Sequence, residues 1–203
     1  MNKTIITLSL TLLGVTVYPV FAQEVSESVV SQTQNTSTDL TALTEQAKVA
    51  VKALGGNLKS KLEAALKDGA PENAIDICQI TAPELNKAVS AEHGMSVNRV
   101  SLKNRNPVSG QANEWQTKVL QDFETRKVNG ENPDTLVYSE VVNNEFRFMK
   151  SIPTATVCLN CHGTQLNSSV KGSLAKRYPH DKATGYKEGD LRGAFVVVKN
   201  LKP

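Results

Sequence analysis

Apolar residues recur at steps of three and four along the first third of the chain: Leu40, Leu43, Ala47, Val51, Leu54, Leu58, Leu62 and Leu66. That spacing follows one face of an α-helix, so residues 39–68 are read as a long amphipathic helix. Gly55-Gly56 weakens it but leaves the stripe in phase, and Gly69 closes it. Core packing is the plain use of the stripe; a partner helix in a dimer is the sharper one. Pro71 opens a second helix at its first turn, with Ala74, Ile75, Ile77 and Cys78 on or near the buried side. Thr81-Ala82-Pro83-Glu84 has the order of a capping box, and Pro83 has no N–H to give a carbonyl one turn back. The expectation is a helix kinked or restarted just after Cys78 and ended at Glu92-His93-Gly94.

Beyond Gly94 the period shortens. Val97 to Ser101 alternates as a short strand, 102–110 is a loop, and 112–127 returns to helical spacing through Trp115, Val119, Leu120 and Phe123. Two strand-like runs, 135–142 and 145–152, flank Asn143-Asn144, a pair suited to a tight turn. A short helix over 168–178, a polar loop over 179–190 and a last strand over 191–199 complete the chain. Helices come first and neighbouring strands follow, which predicts an α+β fold: an antiparallel sheet with N-terminal helices packed on it.

The N-terminus is of another kind. Met1-Asn2-Lys3 is a positive start, Ile5 to Val17 an apolar core, and Val20-Phe21-Ala22 a small-residue cleavage site before Gln23. Residues 1–22 are read as a signal peptide, 23–38 as a flexible leader without helical period, and 39–203 as one domain. An uncleaved anchor is the alternative; no later stretch approaches the roughly 18 apolar residues of a membrane span. The expected compartment is the periplasm. The formal charge of +3 carries no basic block, which argues against nucleic acid as a partner.

The named chemistry sits in Cys158-Leu159-Asn160-Cys161-His162-Gly163. This spacing attaches a c-type haem: two thiols on one turn add to the two vinyl groups, and the next residue, His162, becomes an axial iron ligand. A redox dithiol and a zinc site use the same residue types. The dithiol motif belongs near a βαβ pattern, which is not seen. Zinc wants four ligands from a chain holding 3 Cys and 3 His. One covalent haem c is therefore the expected cofactor. For the second axial position the candidates are Cys78, His93, His180, Met95 and Met149. His93 also suits a helix C-terminus, His180 a solvated loop, Met149 a strand core and Met95 the surface after a helix cap. Cys78 is the leftover thiol of an exported chain, and it could equally be a small apolar filler.

Several segments, in order, carry a resemblance. They are 74–78 followed by Ala82-Pro83; 99–107; Phe146-Arg147-Phe148-Met149-Lys150; the haem motif; and Tyr178-Pro179 through 181–186 to 189–194. Together they resemble a family of single-haem c-type proteins with a PAS-like fold. The resemblance implies His/Cys axial ligation, with the histidine at His162 and the cysteine at Cys78. It also implies an extracytoplasmic sensing role, which in this chain needs a separate signalling partner, since no output module follows Pro203. The expected function is a redox- or gas-sensing haem module of low potential. A periplasmic electron-transfer cytochrome is the alternative, and no enzyme activity is expected with both axial positions filled. Arg99, Lys103, Arg105 and Arg147 are candidates for the haem propionates, and Phe148 and Tyr178 for packing on the porphyrin.

Overall fold

The computed structural model describes residues 24–67 and 72–201, with side chains from residue 39 onward. The proposed signal peptide lies outside these residues, as do Gly69 and Pro71. Helix α1 spans Glu24–Lys67. Its backbone includes most of the stretch read as a leader, because extending a helix that is already nucleated costs little per residue. The compact unit that carries the remaining elements begins at Thr38.

α2 (Asn73–Asp76), a π-turn (Ile77–Thr81) and α3 (Ala82–His93) follow as one continuous rod. The expected capping box is not made: Thr81 has helical dihedrals and no capping hydrogen bond. The chain does not restart either. It widens by one residue, and the Ala82 N–H reaches the Ile77 carbonyl five residues back. Widening relieves the clash that Pro83 would make with the carbonyl four residues before it in a regular helix. Gly94, at φ 61°, ends the rod.

β1 (Ser96–Val100), α4 (Glu114–Val128), β2 (Val137–Val142), β3 (Glu145–Pro153), α5 (Leu159–His162), α6 (Ser168–Arg177) and β4 (Leu191–Asn200) complete the fold. Four antiparallel strands form one sheet in the order β1-β4-β3-β2. Asn143 and Asn144 both have positive φ, as a two-residue hairpin turn requires. Asn113 and Gln116 cap α4 reciprocally.

Alternation along the strands divides the core in two. Phe146, Phe148, Val97 and Val197 face α1 and α3, where they meet Ala47, Ala50, Val51, Leu54 and Val89. Met149, Val100, Ala194 and Val196 face the other way, onto Val119, Leu120 and Phe123 of α4. The α+β class and the antiparallel sheet stand. The N-terminal helices cover one face, and α4 covers the second. Met95, expected at the surface, is 3% exposed and belongs to the first layer.

The glycine pair in α1 is asymmetric. A Cβ on Gly55 would lie 3.1 Å from the Phe195 ring, whereas one on Gly56 would meet nothing within 4 Å. Gly56→Ala is therefore expected to stabilise the fold by about 0.5–1 kcal/mol through helix propensity alone. Gly55→Leu is expected to lower stability by about 1–3 kcal/mol through overpacking against Phe195. Thermal unfolding of the two variants beside the parent checks both signs.

Candidate functional site

A third apolar cluster fixes the site. Ile75 of α2 packs on Val170 and Leu174 of α6 and on Tyr178, with Cys161 and Leu166 against them. Two polar contacts hold the same docking: Arg177 to Asp76 at 2.5 Å, and Ser169 Oγ donating to Glu72 at 2.9 Å. α2 is thereby seated beside the Cys158–His162 turn, and the π-turn that follows it carries Cys78 into the same neighbourhood.

Between these elements lies a cavity of about 260 Å³. Leu62 and Leu66 of α1, Ile75, Cys78 and Pro83 wall one side. Val157, Cys158, Cys161 and His162 wall another, and Arg99, Arg105, Tyr178, Arg192 and Gly193 contribute as well. All three cysteines are free and partly buried. Among the described residues no group of three or more His, Cys, Asp or Glu converges to hold an ion directly, so the donors are spread around the cavity rather than gathered at a point.

The His162 ring is held from below by the segment 181–186. Its Nδ1 lies 2.7 Å from the Ala183 carbonyl oxygen. A carbonyl only accepts, so Nδ1 carries the proton and Nε2 keeps its lone pair. Burial pushes the imidazole pKa well below its ordinary value, and the Arg192 and Arg105 charges add to this, so the ring is neutral. The backbone is clamped too: Tyr186 N–H donates to the His162 carbonyl at 2.9 Å and Gly185 N–H to Gly163 at 3.0 Å. A Cβ on Gly163 would lie 2.6 Å from the Leu159 carbonyl, so the chain leaves the turn only as glycine.

Arg105 is the pin of this clamp. It is 6% exposed; its Nε meets Asp181 at 3.0 Å and its Nη2 donates to the Cys161 carbonyl at 2.5 Å. Asp181 in turn accepts from the Ala183 N–H at 2.8 Å. Arg105 was a propionate candidate on sequence grounds. It lines the cavity, and its Nε and Nη2 are engaged by the protein. Lys103 lies outside the lining; it donates to the Thr184 carbonyl and sits over the Tyr186 ring.

Arg99 differs. Its Nε is buried with no hydrogen-bond partner among the described residues, and it lines the cavity. Burial draws its pKa down, while the Cys78 thiol opposes the shift. Tyr178, 7% exposed, has its phenol pushed up to about 12, first by burial and then by Cys78. Burial likewise raises the Cys161 thiol, against the pull of Arg105.

Two expected residues stand elsewhere. Arg147 bonds Glu145 and lies over Trp115, and Phe148 is wholly buried against α1. The pleat of β3 turns Arg147 to the α4 face, whereas Phe148 shares the face of the cavity-lining Ile152 but lies further along the strand, against α1. His93, His180, Met95 and Met149 are likewise absent from the lining, which leaves Cys78 as the one candidate for the second axial position that reaches it. Arg192 and the clamp 181–186 were not assigned roles from the sequence. The run Asp181-Lys182-Ala183-Thr184-Gly185-Tyr186 reads as an ordinary polar loop, and its work is done by backbone atoms that a sequence does not display.

Arg105→Gln removes a buried partner of Asp181 and a prop of the Cys161 carbonyl. A loss of about 3–5 kcal/mol is expected, read as a lower urea midpoint at unchanged m-value.

No curated protein matches the chain. Among solved structures, the crystal structure of the cyanobacterial haem protein Tll0287 is similar, with 23% identity over 60% of this chain and 71% of that one and a TM-score of 0.50. The model of the Tll0287-like family matches residues 20–199. The chain belongs to the Tll0287-like family.

Proposed function

We propose that this chain is an exported haem protein in which one c-type haem is linked to Cys158 and Cys161, with iron held between His162 and Cys78. One observation carries the reading. Both motif thiols, a neutral imidazole with a free Nε2 and a thiol from a distant helix line a single cavity. The similar cyanobacterial structure is that of a haem protein, which supports the cofactor, and the Cys-x-x-Cys-His order supports its covalent linkage.

Bound there, the haem supplies one-electron chemistry. The chain's own groups set its terms. The Ala183 carbonyl orients His162 and makes it a better donor. The Arg99 Nε, buried and unpartnered, fits a propionate carboxylate, which would neutralise its charge. A Cys78 thiolate stabilises Fe(III) over Fe(II) and lowers the midpoint potential. Ligands on both faces leave no place for a substrate, so the protein is proposed as a binding module and not an enzyme.

The segment that carries Cys78 favours sensing over simple electron carriage. A π-turn holds one residue more than a regular turn, so resetting it would rotate Cys78 by about 100° relative to α3. Protonation of Cys78 on reduction would release it, and the rod α2–α3 would relax. The module would thus report redox state, or a gas bound at the vacated position, to a separate signalling protein in the periplasm.

Ferric absorption and EPR spectra of the parent and Cys78→Ala test the ligand set. A thiolate-type low-spin signal that gives way to another spin state is expected; identical spectra would remove Cys78 from the iron. Intact mass tests the linkage, since bare polypeptide from a host that matures cytochromes sinks the haem c assignment. Reduced protein exposed to CO is expected to form an adduct. Absence of one at any pH would return the protein to a plain electron carrier.

A further inference from the structure

Arg192 occupies an unusual place. Its Nε is 3.2 Å from Nδ1 and 3.4 Å from Nε2 of His162. The two nitrogens flank one carbon. A donor in the ring plane at nearly equal distances from both would collide with that carbon, so the Arg192 Nε–H lies over the face of the imidazole. Nδ1 is already committed to Ala183 as a donor and has no lone pair to offer. The contact is therefore a cation against a π-face, and it leaves the in-plane lone pair of Nε2 free.

The arginine is itself held on all sides. Ser101 Oγ donates to its carbonyl at 2.7 Å, and its Nη1 donates to the Lys103 carbonyl at 3.4 Å. The next residue, Gly193, permits a backbone approach to the Val100 carbonyl that no Cβ would allow. The guanidinium also lies 5.6 Å from the centre of the Tyr186 ring, which meets the imidazole edge-on at 6.2 Å. Lys103 caps the far side of Tyr186 at 4.5 Å. Among the described residues no carboxylate forms an ion pair with Arg192, and the clamp's own carboxylate, Asp181, is paired with Arg105.

We propose that Arg192 is a positioning residue for the iron-bound imidazole: its guanidinium sets the rotation of the His162 ring, and its charge opposes the oxidised iron. This rests on the haem reading above. The ring has two restraints, one in its plane from Ala183 and one on its face from Arg192, and together they fix it about the bond to iron. The charge acts against the Cys78 thiolate. The thiolate draws the potential down; a buried cation beside the opposite ligand raises it, because Fe(III) carries one positive charge more than Fe(II). Two ligand-side groups of opposite sign thus set the potential between them.

The test uses the full haem-loaded protein and separates orientation from charge. Arg192→Met removes both, and Arg192→Lys keeps the charge without the planar group. In the Met variant the EPR g-anisotropy is expected to change and the midpoint potential to fall. In the Lys variant the g-anisotropy is expected to change while the potential stays near that of the parent. Should the Met variant fold poorly, the Lys variant alone decides the orientation part, and Tyr186→Leu, which removes the ring against the guanidinium, is expected to shift the g-anisotropy in the same direction. Haem-loaded variants with the parent's g-values and potential overturn the inference while leaving the haem reading intact. A parent protein without a haem spectrum overturns both.

Discussion

A buried guanidinium, that of Arg105, joins three stretches of chain that have no local reason to meet. It pairs with Asp181, donates to the Cys161 carbonyl at 2.5 Å and reaches the Ala183 carbonyl at 3.4 Å. Through it the loop after β1, the Cys-x-x-Cys-His turn and the segment 181–186 become one body. Each of these contacts is made by a charged group out of water, where a missing partner is costly. The clamp is therefore made as a whole or lost as a whole. The Nδ1 bond of His162 depends on it, because the Ala183 carbonyl that receives that bond is placed by the same network.

The opposite wall rests on apolar contact. Ile75 lies against Val170, Leu174 and Tyr178, and α2 has only four residues with which to hold its position. Such a short helix gains little from its own hydrogen bonds. Its location is decided by α6, and Cys78 follows because the π-turn continues directly from α2. One wall of the cavity is thus pinned by charge and the other seated by packing. Under the reading proposed here that difference has a use: the histidine side is pinned, and the cysteine side is carried on a π-turn.

Charge within the cavity has a direction as well. Arg99, Arg105 and Arg192 all line it, and among the described residues one carboxylate, Asp181, pairs with one of them, Arg105. Arg105 is structural, Arg99 has a buried donor left over, and Arg192 faces the imidazole. The surplus is matched by an anionic occupant, which a porphyrin with two propionates and a thiolate ligand provides under the reading proposed here.

Much of this was legible in the residues. Period-two and period-three-to-four patterns are local, and they placed α4, α6, the four strands and the C-terminal end of α1 within a few residues of where they lie, while α1 begins well before the apolar stripe, at Glu24. Cys158, Cys161 and His162 carry the proposed chemistry in the sequence itself, because covalent haem attachment calls for those residue types at that spacing. Other features had no local signature. Arg147 and Phe148 belong to a segment that carries the resemblance, but β3 places one over Trp115 and the other against α1, and which face is which depends on the helices that cover the sheet. Pro83 announced a disturbance, yet whether the helix breaks or widens is decided by the packing of α2 and α3 on either side. Tertiary structure alone brought Cys78 opposite the motif, committed Arg105 to backbone carbonyls and laid Arg192 over the imidazole. The physical reason is common to all three. Each depends on chain segments far apart in sequence being packed side by side, and no local residue period encodes that.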